Sequence, residues 1–84
     1  NDELAIAAKR AIIDSGRSIP RDIALTGFDN IQSGAYLSPS LTTVEQPCSR
    51  IAQALIAELL ATLADPAHAD FVSVPCSVII RESA

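Results

Sequence analysis

The chain has 84 residues, 10 acidic and 6 basic side chains, and a formal net charge of −4. Six basic side chains on an acidic chain cannot form the basic stripe of a free-standing nucleic-acid binder, so that class is excluded. A hydrophobic content of 49% excludes a disordered segment. No apolar run approaches the roughly 18 residues of a membrane span, so we also expect no membrane association.

The first predicted element is a helix over residues 2–15. Its apolar residues recur at helical spacing and should form one core-facing stripe. They are Leu4, Ala7, Ala8, Ala11 and Ile12. Asn1 or Asp2 should cap the first amides, Gly16 should end the helix, and Lys9 should face solvent.

The central part of the chain is predicted to contain two strands. Residues 23–26 form a short apolar run, typical of a strand buried on both faces of a parallel sheet, and the run ends abruptly at residues 27–30. Residues 31–36 can form one helical turn. Residues 41–45 are rich in β-branched side chains and should form a second strand, which Pro47 ends because proline cannot donate to a ladder.

The strongest periodic signal lies at residues 48–63, where an apolar stripe predicts a second long helix. Residues 71–74 and 77–80 then read as strands. Helices alternating with short apolar strands indicate an α/β protein. Burying each Leu or Ile of the stripe is worth about 1.5–3 kcal/mol, so we expect the chain's own sheet or a second copy to cover it.

The sequence carries no pattern for catalysis or metal binding. The fingerprints of serine hydrolases, dinucleotide binders and P-loop proteins are absent. The single histidine, His68, lies in a polar loop and should be solvated, and Cys48 and Cys76 alone cannot supply a zinc site and should be free thiols. We therefore expect no enzyme, no metal and no cofactor.

Asp29 is the candidate binding residue. It follows the apolar run at 23–26, and ligands of open α/β sheets bind beyond the carboxyl ends of the strands. A carboxylate there can accept hydrogen bonds from the hydroxyls of a sugar or nucleoside. The alternative is that Asp29 caps the turn at residues 31–33.

Four segments of the chain, in order and with matching spacing, closely resemble the C-terminal part of the effector domain of LacI/GalR-family bacterial transcriptional regulators. They are residues 1–2, 18–30, 39–47 and 80–83. The Leu-Thr-Thr-Val-x-Gln-Pro string at 41–47 is the most discriminating of them.

The resemblance implies a fold like that of type I periplasmic binding proteins, with two α/β lobes, each a parallel sheet flanked by helices, and an effector in the cleft between them. Residues 1–84 would be a C-terminal fragment of this domain. Residues 1–46 and 71–84 would belong to the C-terminal lobe, and the helix at 47–70 would pack on the N-terminal lobe. The chain would cross between lobes at Gln46 and Pro47.

By position, Asp29 and Asn1 match cleft residues that contact a sugar or nucleoside-like effector, and Ile6 and Tyr36 match a homodimer interface. Ile6 also lies off the predicted core stripe, which favours a partner. The resemblance further implies a cytoplasmic repressor that binds operator DNA only through a head domain outside this chain.

A second interpretation remains open, the C-terminal part of a periplasmic sugar-binding protein of a transporter. It shares the fold and the turn at Asp29. The string at 41–47 and the closing residues 81–83 fit the repressors better.

Overall fold

The computed structural model describes residues 1–84, which form three helices and two short strands. They are α1 (Asp2–Asp14), α2 (Gln32–Ala35), β1 (Thr43–Glu45), α3 (Cys48–Ala64) and β2 (Ser77–Ile79). The chain divides into unit 1, Asn1–Gln46 with Ser77–Ala84, and unit 2, Pro47–Cys76. None of the helices has the length and apolar character needed to cross a membrane.

Helix α1 begins and ends where its local sequence predicts. The Asn1 side-chain oxygen accepts a hydrogen bond from the Leu4 N–H at 3.0 Å, which confirms Asn1 as the N-cap. Gly16 has a φ of +79°, and the amides of Gly16 and Arg17 bond back to carbonyls of the last turn. This arrangement is a Schellman motif, which requires the left-handed conformation that glycine adopts most easily.

The buried face of α1 differs from the predicted stripe. Asp2, Ala5 and Lys9 are the buried residues of this helix. Most of the predicted stripe is exposed, namely Leu4, Ala7, Ala8 and Ala11. The prediction that Lys9 faces solvent is therefore wrong, because its stem packs inward and its Nζ donates to the Pro39 carbonyl at 3.3 Å.

The only regular sheet is the antiparallel pair of β1 and β2, in which Val44 lies opposite Val78. The strands predicted at 41–45 and 77–80 thus form in shortened versions, whereas 71–74 has no regular structure. The parallel pairing expected from the sequence is reduced to one isolated bridge, between Thr26 and Thr42.

Residues 23–26 form no regular strand beyond this bridge, and a side chain takes part in their pairing with Thr42. Gly27 donates its N–H to the Thr42 carbonyl at 2.9 Å, as in a parallel ladder. A parallel ladder would also need a bond from the Thr42 N–H to the Leu25 carbonyl, and the Ser83 hydroxyl bridges these two groups instead. It accepts from the Thr42 N–H at 2.8 Å and donates to the Leu25 carbonyl at 2.6 Å.

The interior of unit 1 is small and largely polar. Leu41 and Ala5 are its buried hydrophobic residues. The buried polar or charged residues are Asp2, Lys9, Thr42, Thr43 and Ser83. Every buried side-chain nitrogen and oxygen has a hydrogen-bond partner, so this interior satisfies itself.

Unit 2 consists of α3 and the irregular segment that follows it. Pro47 is the N-cap, as its position before the first turn predicts. The helix buries no residue, and its large apolar side chains stay exposed, namely Leu55, Ile56, Leu59, Leu60 and Leu63. Within unit 2 nothing covers the stripe, and its cover by the chain's own sheet or by a second copy stays a prediction. Residues 71–76 group with α3 in unit 2. The predicted assignment of 71–84 to the C-terminal lobe stays a prediction.

Candidate functional site

The candidate site is the turn that follows the Thr26–Thr42 bridge. Asp29 has a φ of 109° and Asn30 a φ of 54°, and neither is a glycine. Asparagine visits the left-handed region readily, but an aspartate at 109° costs about 1–3 kcal/mol. Such a turn persists only where its surroundings hold it.

The first of these surroundings is the side chain of Asp2, which is 0% exposed. Its carboxylate accepts from the Ile31 N–H at 2.9 Å and from the Thr43 hydroxyl at 2.6 Å. Its own N–H donates to the Phe28 carbonyl at 2.9 Å. Asp2 therefore binds both ends of the turn from the N-terminus of α1, where a negative charge is favoured.

Gly27 makes room for this contact. A Cβ atom at Gly27 would overlap the Asp2 carboxylate and come within 3.0 Å of the Leu41 side chain. The glycine is thus needed for a close approach between the start of the turn and α1. From the sequence, Asp2 is identified only as a residue of the helix start. Its partners lie 29 and 41 positions away, so no local pattern reveals them.

The second support is a chain of polar contacts through Asn30. The Asn30 amide oxygen accepts from Nη2 of Arg81 at 2.8 Å, and its Nδ2 donates to Glu45 at 3.0 Å. The Nη1 atom of Arg81 donates to the Leu41 carbonyl at 2.9 Å. No local sequence signal identifies Arg81 or Glu45 as a support of the turn, and Arg81 stands out only because residues 80–83 match the family pattern.

The Asp29 carboxylate is exposed at the surface of unit 1. Its Oδ1 accepts from Nε2 of Gln46 at 2.8 Å, and no hydrogen bond within the chain involves Oδ2. Its N–H donates to the Val44 carbonyl at 2.8 Å. The alternative role as a helix cap is wrong, because the N-cap of α2 is Ile31 and no side chain makes a capping hydrogen bond there.

The two predicted effector residues lie close together. Asp2 and Phe28 are joined by a backbone hydrogen bond, and Asn1 and Asp29 are their immediate neighbours in the chain. Asn1 is exposed, and the Leu4 amide already engages its Oδ1. Its side-chain NH₂ group makes no hydrogen bond within the chain. The binding roles of both residues stay predictions.

The residues predicted for a dimer interface lie outside this turn. Ile6 is half-buried on α1. Tyr36 ends α2 and is 78% exposed, which is unusual for a large aromatic side chain. The boundary between the two units falls between Gln46 and Pro47, the predicted crossover residues.

The remaining reactive side chains form no second site. His68 is half-buried and pairs with Glu58 at 2.7 Å, so the prediction of a solvated loop histidine is wrong. Cys48 and Cys76 are free and exposed, as expected. No cluster of three or more His, Cys, Asp or Glu residues is arranged to hold a metal ion.

Comparison with known proteins gives a consistent picture. A family model described as a periplasmic binding protein-like domain matches residues 1–84. The HTH-type transcriptional repressor PurR of Aliivibrio fischeri is 43% identical over 68 residues, which are 81% of this chain and 20% of that protein. A lactose operon repressor of Rhizobium radiobacter is 36% identical over 84 residues, covering 100% of this chain and 74% of that protein.

Solved structures agree. The Lac repressor bound to ONPG in the repressed state superposes with a TM-score of 0.87 at 30% identity, covering 100% of this chain and 26% of that one. A LacI family transcriptional regulator from Enterococcus faecalis V583 with bound ribose has a TM-score of 0.81 at 34% identity, covering 99% of this chain and 32% of that one. The chain spans about a fifth of the length of PurR, which it matches.

Proposed function

This chain belongs to the periplasmic-binding-protein-like domains of LacI-type transcriptional regulators, and from that premise we propose that it is the C-terminal part of the effector-sensing and dimerisation domain of such a regulator. The related repressors favour this function over a transporter's sugar-binding protein. They also favour a cytoplasmic protein that is not an enzyme.

We propose that Asp29 binds the effector. The observation that carries this proposal is an exposed carboxylate, fixed on a strained turn, with one oxygen engaged by Gln46 and the other free. A fixed carboxylate oxygen suits the hydroxyls of a sugar or the ribose of a nucleoside. Asn1 lies beside it and offers a donor. The similar Enterococcus faecalis regulator with bound ribose supports this class of effector.

We propose that unit 1 is part of the C-terminal lobe, with the chain crossing to the N-terminal lobe at Gln46 and Pro47. In the full-length protein, residues 23–26 and 41–45 would lie in the parallel sheet of this lobe, flanked by helices. The Thr26–Thr42 bridge is parallel, which supports that arrangement.

We propose that unit 2 packs on the N-terminal lobe of the same protein. Two faces of α3 are apolar and uncovered. One borders a cavity of about 300 Å³ whose lining includes Ile51, Leu55 and Phe71, and the other carries Ile56 and Leu60. Since this chain spans a small share of its longer relatives, the rest of such a protein is the natural cover for both faces.

The proposed mechanism is a shift of population between two lobe arrangements. An effector that contacts Asp29 in one arrangement more strongly than in the other favours the first. A homodimer interface at Ile6 and Tyr36 would pass that preference to the DNA-binding heads, which lie outside this chain. Operator DNA is thus a partner of the full-length protein alone.

The effector site is tested by calorimetry on the full-length protein with D-ribose and with inosine. Asp29→Asn should weaken binding of the ligand that the wild type takes by about tenfold or more, because hydrogen bonds to a charged group are lost. Asp14→Asn is the matched control, since Asp14 is an exposed carboxylate on α1 that pairs with Arg10. Unchanged binding by Asp29→Asn, or no binding of either ligand to the wild type, contradicts the proposed effector site.

The interface is tested by sedimentation of the same protein. Tyr36→Asp should shift the dimer toward monomer, because it places a charge in the interface core. Asp14→Asn again serves as the control. A dimer that withstands Tyr36→Asp at equal concentration would remove Tyr36 from the interface.

A further inference from the structure

We propose that Arg81 is a positioning residue, which sets the effector affinity by holding the Asp29–Asn30 turn without touching the effector. This inference rests on the proposed role of Asp29. It concerns a residue 52 positions further along the chain, in the segment after β2.

Arg81 forms hydrogen bonds with two segments of the chain at once. Its Nη2 donates to the Asn30 side-chain oxygen at 2.8 Å, and its Nη1 donates to the Leu41 carbonyl at 2.9 Å. Its backbone N–H donates to the Thr42 hydroxyl at 2.8 Å, which fixes where the side chain starts. The planar guanidinium makes both contacts from one rigid group, whereas a lysine ammonium is a single point on a flexible stem.

The hydrogen bond from Arg81 helps to fix the orientation of the Asn30 side-chain amide. Its oxygen faces Arg81, which can only donate, and its nitrogen faces the Glu45 carboxylate, which can only accept. The amide therefore cannot turn over without losing both contacts. Asn30 is held on the backbone side as well, since its N–H donates to the Thr43 hydroxyl at 3.3 Å.

The consequence falls on the neighbouring residue. Asp29 is held at a φ of 109°, and Asn30 at 54°. If Asn30 is released, the turn can relax toward commoner backbone conformations. The Asp29 carboxylate then loses its fixed position and its hydrogen bond with Gln46. A ligand would have to reorder the turn on binding, which lowers its affinity.

The first experiment needs no ligand. Hydrogen exchange of the full-length protein should show the Asp29 and Asn30 amides exchanging about tenfold faster in Arg81→Lys than in the wild type, as expected for loss of one charged hydrogen bond. The exchange rates of the α1 amides should be unchanged.

Asn30→Ala releases the turn from its other side and should have the same effect. Arg10→Lys is the matched control, because Arg10 pairs only with Asp14 on the surface of α1. Unchanged exchange at the turn in Arg81→Lys and Asn30→Ala overturns the inference.

The second experiment measures D-ribose and inosine binding by calorimetry. Arg81→Lys should weaken binding about tenfold in the wild-type background and have no effect in the Asp29→Asn background, because Arg81 acts through Asp29. A merely structural role would lower the stability equally in both backgrounds and leave the affinity alone. If Asp29→Asn weakens binding and Arg81→Lys does not, the inference fails while the proposed function stands. If Asp29→Asn binds as the wild type does, the proposed function fails, and with it the effect of Arg81 on affinity.

Discussion

Unit 1 and unit 2 are stabilised in opposite ways. Unit 1 buries more polar and charged side chains than apolar ones, and every buried nitrogen and oxygen of these side chains has a hydrogen-bond partner. Unit 2 is built on α3, a helix with no buried residue and with Leu63, among others, 71% exposed. One unit is internally satisfied, and the other presents apolar surface to solvent.

The difference shows where each unit finds its stability. Hydrogen bonds such as those of Asp2 are made within unit 1, so its turn is shaped whatever packs around it. The apolar side chains of α3 can contribute only when another surface covers them. Substitutions in the two units should therefore respond differently to the presence of the rest of the protein.

The largest effect is expected in unit 1. Asp2→Ala should lower the free energy of unfolding by roughly 4 kcal/mol, because it leaves the part-buried Ile31 N–H and the buried Thr43 hydroxyl without an acceptor. Urea denaturation of the full-length protein measures the loss. Glu3→Ala is the control, since Glu3 is the exposed neighbour of Asp2 in the same helical turn. A loss no greater than that of Glu3→Ala would show that the buried carboxylate contributes little.

The next effect separates the two units. Leu59→Ala should lower the free energy of unfolding of the full-length protein by about 3 kcal/mol if the N-terminal lobe covers α3, because a buried leucine is then truncated. Arg50→Ala, an exposed change on the same helix, should leave the stability nearly unaltered. Equal stability of the Leu59 and Arg50 variants in urea would mean that the stripe stays in solvent.

The smallest effect is a pH dependence of unit 1. Hydrogen bonds from the Ser40 backbone N–H, and then from its hydroxyl, hold the pKa of Glu82 below its ordinary value of 4.5. Because the pKa is depressed in the folded state, the stabilisation is present above pH 4.5 and is lost as the pH falls below that value. Glu82 is exposed, so solvent screening keeps the effect small.

Urea denaturation of the wild type and Glu82→Gln between pH 7 and pH 3 tests this dependence. The wild type should be the more stable at pH 7, and the difference should shrink on acidification. A difference that is constant with pH, or that grows as the pH falls, would contradict the assigned role of Glu82.

The sequence predicts the elements whose signals are local. Helix α1 is bounded by Asn1 and Gly16, which act within one turn, and the periodicity of α3 extends along its whole length. Pro47 marks the start of α3 for the same reason. Asp29 is identified from its position after an apolar run and Gln46 from the resemblance to LacI-type regulators, and the two are hydrogen-bonded in the structure.

The sequence does not predict contacts that cross long stretches of chain. Lys9 reads as a solvated residue because its acceptor, the Pro39 carbonyl, lies 30 positions away. Asp2 reads as a helix-start acid, although its hydroxyl partner lies 41 positions away. The buried face of α1 was predicted wrongly because that face is lined by such polar contacts, which the spacing of apolar residues does not reveal.

The hydroxyl of Ser83 joins the carbonyl of Leu25 to the N–H of Thr42, two segments that would otherwise bond backbone to backbone. Backbone pairing is indifferent to the identity of the side chains, and mutation rarely alters it directly. Here one oxygen atom of a serine stands within the pairing. A single substitution at Ser83 can therefore alter the pairing of these two segments, without any change in the sequence of either segment.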